Sequence, residues 1–399
     1  MATIPSIAMI PSGVKASKLY SVLPTDGAGD FTTTRASVAT RVNENGLIEE
    51  VASNVPRLDY SDGTCPSLLL EPAARNFLIQ SESFDDVAWT KDLSGVASAP
   101  VVTANQGISP DGTLNADRIV FDLNGGASSG DGSIIQQVIT LTGINVNTRS
   151  VYLKSNTNLS YDIILGTNTA NSSAEKITVT TEWQRFEVTQ TPTTTATNFY
   201  LGLRNAFGFS GLSDSADVLV YGASLEENSY ATSYIKTVGT TQTRVADSAS
   251  GSGNSTVINS AEGTLYFEGS ALADDGTSRR LSISDGTANN HISIDISEYT
   301  NTIIGRVRSS NIEYAFMTTT GVTQSNTNKI ALKYKSNDCS LWVNGVELVT
   351  DISVTMPIGL SELSFDNGGG INNFYGKTKS VQVYTTALSD AELTALTTI

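Results

Sequence analysis

Reactive side chains are almost missing from this sequence. Among 399 residues there is one histidine and there are two cysteines. The histidine, His291, follows a turn in "TANNHISIDIS", and a general base needs a positioned partner that no neighbouring residue supplies. It reads as a surface residue beside a hairpin turn. No Ser/His/Asp or Cys/His arrangement can be assembled, and there is no GxGxxG after a strand, no P-loop and no HExxH. Cys65 and Cys339 lie far apart, which excludes a disulfide framework and a zinc site of ordinary spacing. They read as free thiols of a chain made in a reducing cytoplasm.

Charge is scarce too, at 16% of residues, and what there is leans acidic, with a net charge of −16. Such a surface repels phosphate backbones and anionic lipid, so nucleic acid is not an expected partner. The acidity is spread along the chain, as a solubility device would be. No apolar run approaches the ~18 residues of a membrane span, so membrane insertion is not expected. At the N-terminus, "MATIPSIAMIPSGVK" has no basic residue ahead of its apolar ones, unlike an export signal. Paired carboxylates could hydrolyse glycosides without histidine. The candidates Glu49–Glu50, Asp85–Asp86, Glu226–Glu227 and Asp274–Asp275 are adjacent in sequence, so on strands they point to opposite faces.

Ser, Thr, Asn and Gly fill the gap, and these suit strand surfaces and turns. We read the chain as all-β, a short N-terminal docking segment followed by two β-sandwich (jelly-roll) domains. Residues 1–76 are turn-rich ("PTDGAGD", "NENG", "SDG"), and their short strand-like pieces cannot close a core alone. They should borrow one from a partner chain or from the next domain. "PSLLLEPAARN" reads as a buried strand at Leu68 to Leu70, stopped by Pro72, joining this segment to the first sandwich with Arg75 and Asn76 at the junction.

Residues 77–245 hold short strand-like runs such as "SIIQQVITL", "RSVYLKSN" and "NFYLGLRN", spaced as in a sandwich. In "SADVLVYGASLEE", Val218, Val220 and Gly222 share one face, and Leu219, Tyr221 and Ala223 the other. Residues 246–257, "ADSASGSGNSTV", read as a flexible Ser/Gly linker. Residues 258–399 form a second sandwich. There, Asn344-Gly345 in "SLWVNGVELV" predicts a type I′ hairpin turn pairing Val343 with Val346 and Leu341 with Leu348. Ser389 and Glu392 form a capping box flanked by a Leu388/Leu393 staple, which predicts a helix from Asp390. Trp89, Trp183 and Trp342 read as core.

"LWVNGVEL" followed by "NFYGKTKSVQVYTTALSDAEL" resembles the concanavalin A-like, laminin-G-like superfamily. "SPDGTLNADRIV" and "YGASLEENSYATSYIKT" resemble a carbohydrate-binding-module-like sandwich. The stretch from "LYSVLPTDGAGDFTTTRASVATRV" to "CPSLLLEPAARNFLIQSESFDDVAWTK" resembles the N-terminal part of virion structural proteins of tailed bacteriophages. The resemblance implies a non-enzymatic virion protein (head fibre, capsid decoration or tail fibre), assembled in the host cytoplasm and placed on the particle surface. It would dock on capsid, portal or tail proteins through residues 1–76, assemble as a homo-oligomer with a trimer favoured, and display its sandwiches to host-surface glycans. Two rival classes stay open: a tail-spike polysaccharide depolymerase and a bacterial surface lectin.

Glycan contact would use exposed aromatics and amides, the ring stacking on a pyranose and the amide reading its hydroxyls. Phe207 and Phe209 in "RNAFGFSG", and Asn372, Asn373 and Tyr375 in "FDNGGGINNFYG", are the candidates. The favoured reading of the phenylalanines is the plainer one, that Phe207, Phe209 and Phe374 cap the ends of their sandwiches. Laminin-G-like domains often hold calcium, and Asp274, Asp275, Asp366 and Asn367 lie in oxygen-rich loops suited to it. Ordinary turn chemistry accounts for those four residues as well. No other cofactor is expected.

Overall fold

The computed structural model describes residues 3–167, 174–204, 207–209 and 211–399. The protein is all-β, and its described residues contain a single α-helix, Asp390–Thr397. The chain divides into two compact units. One comprises Met1–Glu44, Val51–Pro72 and Val245–Ile399; the other comprises Asn45–Glu50 and Ala73–Arg244.

The second of these units is a sandwich of two 5-stranded sheets. One sheet orders Thr90–Ser94, Gly132–Thr140, Ala196–Arg204, Tyr161–Gly166 and Ala174–Val179. The other orders Ser98–Ile108, Leu114–Asp122, Ser215–Glu226, Asn147–Ser155 and Gln184–Gln190. Alternating side chains, among them Ile135, Phe199, Leu201, Val151, Val218 and Val220, meet between the sheets around Trp89. The alternation in Ser215–Glu226 breaks where its register against Asn147–Ser155 shifts. An extra residue in a strand turns the following side chains over. Ala223 and Leu225 therefore join the core, which corrects the placing of Ala223 on the far face. Trp183 is also not core: it is half-buried, and its indole donates to the Ile108 carbonyl at 3.0 Å.

The other unit pairs an 8-stranded sheet with a 5-stranded one. Its strand Gly376–Tyr384 lies between Glu262–Ala271 and Ser67–Leu70, and Ile7–Met9 also pairs with it. Ile7, Met9, Leu19, Phe31, Leu68 and Leu70 thus share one core with Phe267, Ile283, Leu332 and Val381. The early segment does borrow its core, and the donor is the last third of its own chain. Leu68 to Leu70 form the expected buried strand, but in this sheet rather than at the entry to the first sandwich.

Residues 246–257 are not a free linker. Ser248–Ser250 pairs with Phe31–Thr34, and Asp247, Ala249 and Ser252 are buried. Asp247 accepts from Arg35 at 3.0 Å, from the Glu71 backbone N–H at 2.9 Å, and from Arg57. Composition alone makes the stretch look mobile, whereas two buried guanidinium groups fix it.

The local turn signals hold. Asn344 and Gly345 have φ of 52° and 88°, as a type I′ turn requires, and Val343 faces Val346. A bulge next to Trp342 then sets Leu341 opposite Val349 instead of Leu348. The helix carries the capping box, and Leu388 and Leu393 pack with Tyr266, Trp342 and Tyr384 beneath it.

Candidate functional site

In the unit built from Ala73–Arg244, the face of one sheet that points away from the core is not a plain solvated surface. Strand Ala196–Arg204 sends Phe199, Leu201 and Leu203 inward, so Asn198, Tyr200 and Arg204 point outward. Across the ladder, Gln136 faces Tyr200 and Val138 faces Asn198. Tyr200 is buried there with Ile134 and Ile164, and Phe207, Phe209 and Leu212 pack over them. The Tyr200 and Phe207 rings meet edge-on at 5.8 Å, and Phe207 lies 6.3 Å from Phe209. Arg204 sits 5.8 Å over Phe207 and donates to the Tyr200 hydroxyl at 3.3 Å. Burial pushes that hydroxyl up to about 12, so it stays protonated and can donate in turn.

Beside this aromatic cluster runs a polar relay. Thr167 donates to the Asn198 side-chain carbonyl at 2.6 Å, Asn198 donates to Gln136, and Gln136 donates to Asp92. Each amide is held in one orientation by the next group. From inside the sandwich, Arg149 braces the same strand. It is fully buried, and it donates to the Asn198 backbone carbonyl at 2.8 Å and to the Thr197 hydroxyl at 2.6 Å. Its other partners are the Asn147 and Gln190 side-chain oxygens, all of them neutral, and burial lowers its pKa to about 9.

Phe207 and Phe209 were legible as candidates. The structure puts them on a sheet face rather than at the end of the sandwich, and half-buried rather than projecting. Sequence reading missed Tyr200, Asn198, Gln136, Asp92 and Arg204. The period-2 alternation of "TNFYLGLR" carried a signal for three of them, because it fixes which residues oppose the apolar ones.

The remaining candidates lie in the other unit. The Asn373 amide donates to the Tyr375 hydroxyl at 3.2 Å, and the Asn372 carbonyl accepts from the Arg280 N–H at 2.9 Å. Asn372 and Asn373 edge the strand Arg279–Ser284. Phe374 is core, between Phe267 and Phe365.

The oxygen-rich loops are engaged in turns. Asp275 accepts from Arg279 at 2.8 Å and from the Thr277 N–H, Asp274 accepts from the Asn301 N–H, Asp366 from Gly368, and Asn367 from Gly369 and Ile371. Among the described residues no three acidic, histidine or cysteine side chains converge as a metal site would need. His291 is a correction: it is buried at 1% exposure, not a surface residue.

No protein-family model matches the chain, and no curated protein does. Among solved structures, the CBM40 of the Ruminococcus gnavus IT-sialidase is 22% identical over 36% of this chain and 86% of that one, with a TM-score of 0.32. The CBM22-1-CBM22-2 tandem domain from Paenibacillus barcinonensis Xyn10C is 11% identical over 78% of this chain and 98% of its own, with a TM-score of 0.26. The VIP36 exoplasmic/lumenal domain is 12% identical over 38% and 80%, with a TM-score of 0.27. At such identities and TM-scores these likenesses carry no statement about ligand or activity, which rest on the geometry above.

Proposed function

We propose that the chain is a glycan-binding, non-enzymatic structural protein of a tailed-phage particle, and that the aromatic and amide face of the Ala73–Arg244 unit is where it holds saccharide. One observation carries the reading: Tyr200, Phe207 and Phe209 stand beside the oriented Thr167–Asn198–Gln136–Asp92 relay on one sheet face. Aromatic edges and faces cover the C–H surface of a pyranose, while fixed amides and a carboxylate pair with its hydroxyls. Attachment to capsid, portal or tail would use the exposed apolar side chains of the first segment, Ile4, Ile10 and Val38 among them. A homotrimer on the particle surface fits that arrangement.

The test is binding of the full chain to host capsular and cell-wall polysaccharides, with chain length followed in parallel. Retention on at least one polysaccharide, lost at least tenfold in a Phe207→Ala, Phe209→Ala double variant that melts normally, supports the reading; a hot-spot aromatic costs that much or more. Unaltered retention in the double variant refutes this face as the site. Shortened polysaccharide would establish the depolymerase instead, and absence of the protein from purified particles would refute the virion assignment.

A further inference from the structure

The stretch "PAARN" at the start of the Ala73–Arg244 unit has chemistry that the saccharide face does not use. Its Asn76 is fully buried. The Asn76 amide donates to the Ala223 and Ile235 carbonyls at 3.1 and 2.9 Å, and its side-chain oxygen accepts from the Leu78 and Leu225 N–H groups. A buried amide with all of its hydrogen bonds made fixes the backbone on both sides of it. Its neighbours Arg75 and Phe77 are thereby set against the end of strand Ser215–Glu226, where the Phe77 N–H donates to the Leu225 carbonyl at 2.9 Å. Past that strand the chain is pinned again. Glu226 is buried and accepts from the Thr232 hydroxyl at 2.5 Å and from the Asn228 amide at 3.4 Å. Glu227 is half-buried and braced elsewhere: it accepts from the Thr142 and Gly143 N–H groups at 2.8 and 3.1 Å, and from the Thr142 hydroxyl.

These fixed pieces enclose a cavity of about 260 Å³, with Ala74, Arg75, Phe77, Glu227, Asn228 and Thr243 in its lining. Arg75 and Thr243 are exposed and face each other across the paired strands Ala74–Asn76 and Gln242–Arg244, so the cavity is open to solvent. The Arg75 guanidinium lies 4.9 Å over the Phe77 ring, and the Thr241 hydroxyl accepts from its Nε at 3.2 Å and from its Nη2 at 2.6 Å. Its Nη1 is unspent. Among the described residues Arg75 meets no carboxylate and Glu227 meets no cation. Two opposite charges thus line one cavity, each tethered to its own hydroxyl and neither neutralised by the other. A simple anion would suit Arg75 but face Glu227, and a simple cation would meet the reverse. A molecule carrying both charges satisfies both walls, with charge-assisted hydrogen bonds at each end. The size sets the other limit, since drug-sized ligands occupy pockets of about 300 Å³ and more. This cavity admits something smaller, with Ala74 and Phe77 as the apolar part of its wall.

We propose that this cavity is a binding site for a small zwitterion, an α-amino acid or a dipeptide, whose carboxylate pairs with Arg75 and whose ammonium pairs with Glu227. Asn228 and Thr243 offer an amide and a hydroxyl to the atoms between. The site shares no residue with the saccharide face and does not rest on it.

The test is calorimetric titration of the full chain with L-alanine, L-Ala-L-Ala and D-Ala-D-Ala, up to tens of millimolar. Beside each runs its N-acetyl form, which lacks the ammonium, and its amide form, which lacks the carboxylate. The expected result is saturable binding of at least one zwitterion, with both of its blocked forms weaker by about tenfold or more. Arg75→Gln should erase the preference over the amide form and keep the preference over the N-acetyl form; Glu227→Gln should do the opposite. Gln at position 227 still offers an oxygen to Thr142 and Gly143, so a residue that only braced that turn would show no such split. The Phe207→Ala, Phe209→Ala variant should bind the zwitterion as the unaltered chain does, which keeps the two sites separable. No saturable binding of any zwitterion, equal binding of a blocked form, preferences unchanged in both charge variants, or loss of binding in the phenylalanine variant overturns the proposal. The blocked-ligand comparison uses the unaltered chain, so it decides the matter even where a variant fails to fold.

Discussion

At the scale of single residues, the two buried charge centres have opposite logic. Asp247 sits between Arg35 and Arg57, and Arg57 also pairs with Glu71 at 2.6 Å. Burial would depress the Arg57 pKa, yet Glu71 and Asp247 outweigh it and hold the group above its ordinary value. Removing one carboxylate leaves guanidinium groups buried and undercompensated, so Asp247→Ala should cost about 3–5 kcal/mol in urea unfolding, and Asp247→Asn less, because the amide keeps some of the hydrogen bonds. A loss below 1 kcal/mol would mean that the cluster is not the clasp described. None of this was legible, because Asp247 lies 212 residues from Arg35 in a stretch whose composition says linker. His291 was misread for the same reason: its local sequence is a turn, and its neighbours Arg308 and Ser284 come from other strands. Its pH effect has a definite sign. Arg280, Arg306 and Arg308 oppose its protonation, Ser284 and Glu362 stand in its row, and the folded pKa of about 4 lies below that of a free histidine. The unfolded chain therefore binds the proton first. Stability supplied by the neutral ring is complete above pH ~6.5, drains away as pH falls toward 4, and is flat below. His291→Gln should remove that part of the pH profile, measured by urea midpoints across pH 4 to 7; an unchanged slope would contradict the lowered pKa.

At the scale of elements, what the sequence shows depends on how local the cause is. The type I′ turn and the capping box are complete within a few residues, and both were readable with their positions. The bulge beside Trp342 and the one ahead of Ala223 were not, since each is set by the strand opposite. The cap makes a small prediction: Ser389→Ala should cost about 1 kcal/mol, because it strips the Glu392 N–H of its acceptor. The first strand makes a larger one. Ile7 and Met9 are fully buried against the C-terminal strand, and Ser6 donates through its N–H to the Val383 carbonyl at 2.8 Å. Deleting residues 1–12 exposes that core, and the loss of two large buried side chains alone is worth about 3–6 kcal/mol. Denaturant titration of the truncated chain should show it. A full-length midpoint after truncation would remove the strand from the account of how the first segment is held.

At the scale of the whole molecule, the chain reads as three segments in series, but the structure is an insertion. The all-β class and the two sandwiches were visible from strand spacing. The insertion was not, since it depends on pairing between residues 377 apart, as Ser6 and Val383 are. Within the inserted unit, the entering strand Ala74–Asn76 pairs antiparallel with the leaving strand Gln242–Arg244. Within the host unit, the Asp247 N–H donates to the Glu71 carbonyl at 2.9 Å. Entry and exit are thus adjacent on each side, the condition under which a domain can be removed without opening its host. Residues 73–244 should then fold alone, with their own near-UV circular dichroism and cooperative melt, and should keep the polysaccharide binding proposed for Phe207 and Phe209. The chain with those residues replaced by a short Gly/Ser turn should also fold, with a cooperative melt of its own. The excised unit loses Ile48, which is buried with Ala116, Leu219 and Tyr234, so it should be less stable than in the full chain by about 1.5–3 kcal/mol. If either piece proves unfolded, the two units are cooperative halves of one domain, and the proposed saccharide face cannot be assigned to the inserted unit alone.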